Sequence, residues 1–317
     1  MSHASPLIPV LDFHRFTADR QAFARDLGDA WHTIGFVGVR GHGVPEAVIA
    51  DAYASVQAFF ALPLEVRMRY ASETGDRDRG YIPFGVEHAK DSNAVDLKEF
   101  WQVGRELPES SPHRGLYPGN VWPDAELPDF RPRLLALYDA LEGLGDALLR
   151  AIAIYLQLPE DWFEDKVDHG NSVLRPIHYP PIAGEPRGVR SASHEDINFI
   201  TLLVGSGEPG LQVLSRQGEW VAAPQERDTI LVNVGDILQR YSNHVLRSTT
   251  HRVVNPPAPF SLRSRYSIPF FLHPNPELMI ETLPTCVGEG RLDRYPVPIS
   301  ADAFLGERLR AIGLRGA

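Results

Sequence analysis

The chain has 317 residues, 43% of them apolar and 23% charged, the balance of a folded globular protein and not of a disordered one. Its formal net charge of −10 disfavours a general nucleic-acid role, which needs a basic face for the phosphates. The single cysteine, Cys286, excludes an internal disulfide and any cysteine-rich zinc or iron–sulfur site, which leaves the 12 histidines as candidate metal ligands.

The opening run MSHASPLIPVLDF lacks the basic stretch and apolar core of a secretory signal. No apolar run approaches the roughly 18 residues of a membrane span. The expectation is a cytoplasmic protein with a small-molecule substrate and neither nucleic acid nor membrane as partner. Thr17 is positioned to cap a first helix whose inner face carries Phe23, Leu27, Ala30 and Trp31. A short strand over Phe36–Arg40 follows. Pro45 suits the first position of a second helix, with Val48, Ala52, Val56, Phe59 and Phe60 as its stripe and Leu62-Pro63 as its end. Residues 71–128, rich in Pro, Gly and charge, read as an irregular lid layer over a site. A third helix spans 130–157, with Leu134, Leu137, Leu141, Leu144, Leu148, Ile152 and Tyr155 on one face. Gly143 and Gly145 within it mark close packing or a kink.

After residue 170 the pattern changes to short β-like runs at 173–178, 198–204, Leu211–Leu214, Trp220–Ala222, Thr229–Val234, 248–254 and 266–272. Gly, Pro, Asn and Asp separate them, with no helices between, which suggests an antiparallel sandwich or barrel. The fold class expected is α+β, mainly β: a double-sheet core flanked by N-terminal and central helices. Gly205, Gly207 and Gly210 match G-x-G-x-x-G. Pro209 sits inside the motif and a strand follows it, so no helix N-terminus is available for a pyrophosphate. A glycine-rich hairpin loop is the expectation there.

Ser193-His194-Glu195-Asp196 carries an H-x-D pair. In an extended strand, side chains at i and i+2 share a face, so His194 and Asp196 can reach one ion. Alone, such a pair arises by chance, and a third ligand must come from another strand. His251, in the β-like run Ser248-Thr249-Thr250-His251-Arg252-Val253, suits that role; His244 and His178 are competitors. Two imidazoles and one carboxylate make the facial triad of non-haem Fe(II) oxygenases, although zinc also accepts that set. One strand later, Arg265 and Ser267 share a face. A guanidinium fork plus a hydroxyl fits a carboxylate, and an arginine facing a β core needs an anion. A ligand spanning clamp and metal is a short dicarboxylate with a chelating end, the shape of 2-oxoglutarate.

The chain resembles the isopenicillin N synthase-like branch of the 2-oxoglutarate- and iron-dependent dioxygenases. Ile34-Gly35-Phe36-Val37 through Gly41-His42-Gly43-Val44 resembles the family's "GFF…NHG" segment. Phe59-Phe60-Ala61-Leu62-Pro63 resembles its "FF.LP" helix end and Arg79-Gly80-Tyr81 its "RGY" turn. Later, His194-Glu195-Asp196 stands at H-x-D, Gly210-Leu211-Gln212-Val213 at "GLQV", Asn233-Val234-Gly235-Asp236 at "N.GD", Ser248 to Val253 at "ST.HRV" and Arg265-Tyr266-Ser267 at R-x-S. Tyr179, before Pro180, matches a tyrosine that contacts a carboxylate in the family. Ile177 stands where plant relatives carry Asn, and Pro256, Pro257 and Pro259 mark a turn insertion before Arg265.

The resemblance implies a double-stranded β-helix, or jelly roll, at 170–275 behind a helical region at 6–125, in one compact unit over 1–317. It implies Fe(II) on His194, Asp196 and His251, with 2-oxoglutarate as co-substrate reaching Arg265, Ser267 and Tyr179. It further implies hydroxylation or desaturation of a small organic molecule by O2, with release of succinate and CO2. The substrate pocket is expected among 71–128, the early helices and the region after 273. Phe84, Phe100, Trp101 and His273 are its candidate liners, with core packing as the alternative for each. Three other readings stay open: an oxidase that needs no 2-oxoglutarate, an ethylene-forming enzyme, and a non-catalytic metal-loaded barrel that binds an acidic small molecule. Oligomeric state has no signature in the sequence.

Overall fold

A strand, β1 (Val10–Asp12), and a one-turn helix, α1 (His14–Ala18), begin the described part of the computed structural model, which comprises residues 8–71, 79–86 and 95–311 except 183, 187, 206, 225, 227 and 289. Asp19, not Thr17, caps the next helix, α2 (Arg20–Thr33): its carboxylate accepts from the Ala22 N–H at 3.0 Å. Thr17 lies inside α1, because the non-helical backbone at Asp19 breaks the run into two helices. Strand β2 (Phe36–Arg40) stands where the sequence puts it. Pro45 occupies the extended cap position just ahead of α3 (Glu46–Phe60), one residue earlier than expected. The chain then turns through 110° into the short helix α4 (Leu64–Arg67) and its continuation to Tyr70. Among the described residues no single helix is long and apolar enough to cross a membrane.

The stretch 71–128 is not uniformly irregular. It contains β3 (Gly80–Ile82) and β4 (Glu99–Gly104), and β4 is buried along its whole length. Its polar members hide because each has a partner. Glu99 receives Arg67, Tyr81 and His178, and Gln102 Oε1 accepts from Arg175 Nε and Nη2 at 3.1 and 2.9 Å. Part of the stretch, 72–78 and 87–94, lies outside the described residues.

The long helix α5 (Phe130–Tyr155) has 26 residues, about 39 Å at 1.5 Å per residue. Leu134, Leu137, Leu141, Leu144, Leu148 and Ile152 are all buried, each worth roughly 1.5–3 kcal/mol relative to exposure. Gly145 marks close packing: a Cβ there would lie 2.4 Å from Leu272 Cδ1, whereas one on Gly143 would meet open space. A short helix, α6 (Glu164–Val167), leads into the β half.

There follow β5 (Val173–Leu174), β6 (Ile177–Tyr179), β7 (Ser191–His194), β8 (Ile200–Val204), β9 (Leu211–Leu214), β10 (Trp220–Ala222) and β11 (Thr229–Val234). Helix α7 (Asp236–Tyr241), β12 (His251–Val253), β13 (Arg265–Leu272), β14 (Met279–Ile280), β15 (Ile299–Ser300) and α8 (Ala301–Ala311) come next. Among the described residues, nine strands form one sheet in the order β1-β2-β11-β8-β13-β5-β4-β3, with β6 also paired to β13 and β4. Four form the opposing sheet, β10-β9-β12-β7. This is the double-sheet jelly roll. The glycine motif at 205–210 is not a hairpin: it connects β8 of the large sheet to β9 of the small one.

Period-2 alternation divides the core in two. Ile230, Val232 and Val234 of β11 and Ile268, Phe270 and Leu272 of β13 face the layer of α2, α3 and α5. Leu231 of β11, Phe36 of β2, and Ile177 and Tyr179 of β6 face the small sheet, where Leu211, Val213 and Val253 meet them. The functional side chains enter this second, inter-sheet layer.

Candidate metal centre and co-substrate pocket

His194 ends β7 and His251 begins β12, and the two are direct partners in the antiparallel register. Their ring centroids are 4.4 Å apart. β7 has no sequence signature of a strand, since Ser191-Ala192-Ser193-His194 holds neither β-branched nor aromatic residues apart from the histidine itself. Tertiary bonds impose it: β12 pairs along it, and the Ala192 N–H donates to Asp96 Oδ1 at 3.0 Å. Glu195, between the histidine and the aspartate of H-x-D, points outward and accepts from the Thr250 hydroxyl. Its neighbours therefore turn inward.

Each imidazole has one nitrogen committed. His194 Nδ1 lies 2.8 Å from Ala192 O and His251 Nδ1 lies 3.1 Å from Thr249 O. A carbonyl only accepts, so both Nδ1 atoms carry the proton and both Nε2 atoms offer a lone pair. Asp196 is committed in the same way. Its Oδ2 accepts from Thr201 Oγ1 at 2.6 Å and from Asn233 Nδ2 at 2.8 Å. That leaves Oδ1, which lies 3.9 Å from His194 Nε2 and 3.8 Å from His251 Nε2. One ligand atom from each of the three lies within 4.8 Å of the others.

Burial acts to raise the Asp196 carboxyl, but His251, His194, Asn233 and Thr201 together hold it below the usual carboxylate range. Loss of hydration, then the neighbouring His251 ring, holds the His194 imidazole below its ordinary value, although 40% of its side-chain surface stays accessible. A neutral imidazole and an ionised carboxylate are the forms a divalent cation binds. Three ligands on one side of an ion, with no fourth His, Cys, Asp or Glu in the group among the described residues, suit an open octahedral site.

The loop after Asp196 is pinned by the N-x-G-D segment. The Asp236 and Gly235 N–H groups donate to Asp196 O at 2.7 Å and Phe199 O at 2.8 Å. Gly235 allows the approach, since a Cβ on it would stand 2.2 Å from Asn198 O. Phe36 closes the other side, edge-on to the His251 ring at 5.4 Å.

On β13, Arg265 and Ser267 face the same inter-sheet layer, 4% and 3% exposed. Arg265 pairs with Tyr179 across β6, and its guanidinium lies over the Tyr179 ring, 4.9 Å from the centroid. Arg265 Nε and Nη1 are buried without a hydrogen-bond partner among the described residues. A buried guanidinium with unpaired N–H groups is costly, and a carboxylate is the group that matches it. Ile177 pairs with Ser267 and adds an apolar wall where an amide was the alternative.

The two competing histidines stay out of the cluster. His178 is held between Glu99 Oε1 (2.7 Å) and Ser264 Oγ (2.9 Å), and His244 by Tyr295 Oη at 2.5 Å. Of the candidate liners, Trp101 packs on Phe59 and Phe130 in the helix-side core, and Phe84 is largely exposed. Phe100 faces the inter-sheet layer. His273 lies just past the end of β13, and loss of hydration, then Arg175, presses its imidazole down to about 4.

Two family models match the chain: "non-haem dioxygenase in morphine synthesis N-terminal" over residues 8–125 and "2OG-Fe(II) oxygenase superfamily" over 170–274. A 2-oxoglutarate-Fe(II) type oxidoreductase, ppzC, of Metarhizium rileyi is 33% identical, with 91% of this chain and 83% of that protein covered. The chain belongs to the 2OG-Fe(II) oxygenase superfamily. A 2OG-Fe(II) oxygenase family protein from Caulobacter crescentus superposes with a TM-score of 0.90 at 45% identity, covering 97% of this chain and 100% of that one. A full-length Neurospora crassa protein, crystallised in complex with alpha-KG and thymine, gives a TM-score of 0.85 at 29% identity, with 98% of each chain covered. This oxygenase is thus an oxidoreductase of the type that uses Fe(II), 2-oxoglutarate and O2. Sequence reasoning did not find Thr201, Asn233 and Asp96, which orient the triad. Asn233 lay within a noted motif with no role attached, and the period-2 rule applied to β8 would have turned Thr201 inward.

Proposed function

We propose that this oxygenase holds its iron through His194 Nε2, His251 Nε2 and Asp196 Oδ1. The far carboxylate of 2-oxoglutarate meets Arg265 and Ser267 beside Tyr179, and a small organic molecule is oxidised beside the three ligands. One observation carries the reading: a buried guanidinium with two unpaired nitrogens faces the same layer as the three convergent ligand atoms. Iron and 2-oxoglutarate supply the activation of O2 and the oxidising power when bound.

The remaining work belongs to side chains. Ala192 and Thr249 carbonyls hold the two Nδ1 protons, so both rings stay oriented with Nε2 inward. Thr201 and Asn233 fix the carboxylate. Arg265 supplies a fork-shaped pair of donors and Ser267 a hydroxyl. Phe36, Ile177 and Leu231 form apolar walls that exclude water. His273 is neutral at physiological pH, so it can make one donor and one acceptor contact with substrate. The thymine complex of the Neurospora relative supports a ligand of that size.

The test is a screen of small organic molecules for substrate-dependent succinate release by the Fe(II)-loaded enzyme. Arg265→Ala should raise the KM for 2-oxoglutarate at least about tenfold, because a hydrogen bond to a charged group contributes about 1.5–3 kcal/mol. An unchanged KM would remove the clamp. Uptake of O2 without succinate would favour the oxidase that needs no 2-oxoglutarate.

A further inference from the structure

The inter-sheet layer holds a second buried cation that the clamp leaves out. Arg190 directly precedes β7 and is 1% exposed. The register shifts between the His194–His251 and Ser191–Val253 pairs, so contacts and not strand alternation place the Arg190 side chain beside the clamp. Its guanidinium lies 5.9 Å from the centroid of the Tyr179 ring that Arg265 also covers at 4.9 Å. One cation comes from the small-sheet side and the other from the large sheet.

The hydrogen bonds of Arg190 do not exhaust it. Nη2 donates to Arg263 O at 3.2 Å and Phe260 O at 3.4 Å, while Nε is buried with no partner among the described residues. Burial, then the charge of Arg265, works against the Arg190 cation; the Glu208 carboxylate, from the connection between β8 and β9, works for it. Two buried cations around one phenol ring repel each other, and an anion between them relieves that repulsion.

We infer that Arg190 is a second cation of the far-carboxylate pocket, and that with Arg265 it makes the site prefer a dicarboxylic oxo acid to a monocarboxylic one. The inference rests on the clamp reading given above. If Arg190 only staples the β12–β13 connection through Nη2, its loss affects both acids alike.

The test is calorimetric titration of the Fe(II)-loaded enzyme under argon with 2-oxoglutarate and with 2-oxopentanoate, which keeps the chelating end and lacks the far carboxylate. Arg190→Gln should lower the preference for 2-oxoglutarate at least about tenfold while 2-oxopentanoate binding stays within about twofold. Arg190→Lys should recover part of the preference, and its failure to do so counts against a role for the charge. Should Arg190→Gln not fold, Arg190→Met, which keeps the apolar stem, carries the same expectation. Equal weakening of both acids, or an unchanged preference, overturns the inference. Arg265→Gln separates the two ideas. A preference that survives Arg265→Gln removes the clamp itself; one that collapses there but survives Arg190→Gln removes only the role of Arg190.

Discussion

At the residue scale, the metal centre depends on hydrogen bonds that leave each ligand a single free atom. Asp196 presents Oδ1 because Thr201 and Asn233 occupy Oδ2. Asn233→Ala should therefore leave the carboxylate free to rotate and weaken Fe(II) binding about 10–100-fold, as loss of a ligand's hydrogen-bond partner generally does. Chelator competition measures this directly, and an unaltered iron affinity would contradict it. The convergence of His194, Asp196 and His251 was legible because H-x-D keeps two ligands close and the motif order points to the third histidine, and R-x-S turns Arg265 and Ser267 to one inward face, with Tyr179 opposite Arg265. Thr201 was not legible, since a threonine in an apolar strand gives no sign that its hydroxyl will meet a carboxylate five residues back. Arg190 lies in a stretch with no strand signal, and only its burial against the Tyr179 ring in the fold gives it a direction.

At the element scale, long apolar periodicities read correctly and short polar strands did not. α5 and β11 carry their pattern in sequence; β4 does not, because Glu99 and Gln102 are buried through partners contributed by distant residues. Glu99 ties β4 to α4 through Arg67, to β3 through Tyr81 and to β6 through His178. Burial raises its carboxyl, but His178, Tyr81 and Arg67 outweigh this and hold it below 4.5. A carboxyl depressed in the fold stabilises it above the unfolded value, and that contribution is lost as pH falls below 4.5 toward the folded value. Glu99→Gln should lower Tm near neutral pH, and the gap from wild type should close as pH drops below 4.5. Thermal melts across the acid range check this, and a gap that stays constant with pH would contradict it.

At the scale of the whole molecule, one large sheet joins the two parts of the chain: β2 from the first half pairs with β11, and β4 with β5 and β6, from the second. The helices cover its outer face, and the small sheet encloses the layer that holds the three convergent side chains and the proposed clamp. His194, His251, Arg265 and Ser267 stand on paired strands, which hold side-chain positions more firmly than loops do, and Asp196 lies two residues past the end of β7. The most direct measurement is anaerobic titration of the enzyme with Fe(II) and then 2-oxoglutarate, followed by visible absorption. A metal-to-ligand charge-transfer band should appear only with both present in the wild type, and should be absent in His251→Ala. A band of full strength in His251→Ala would contradict iron binding by the three convergent side chains.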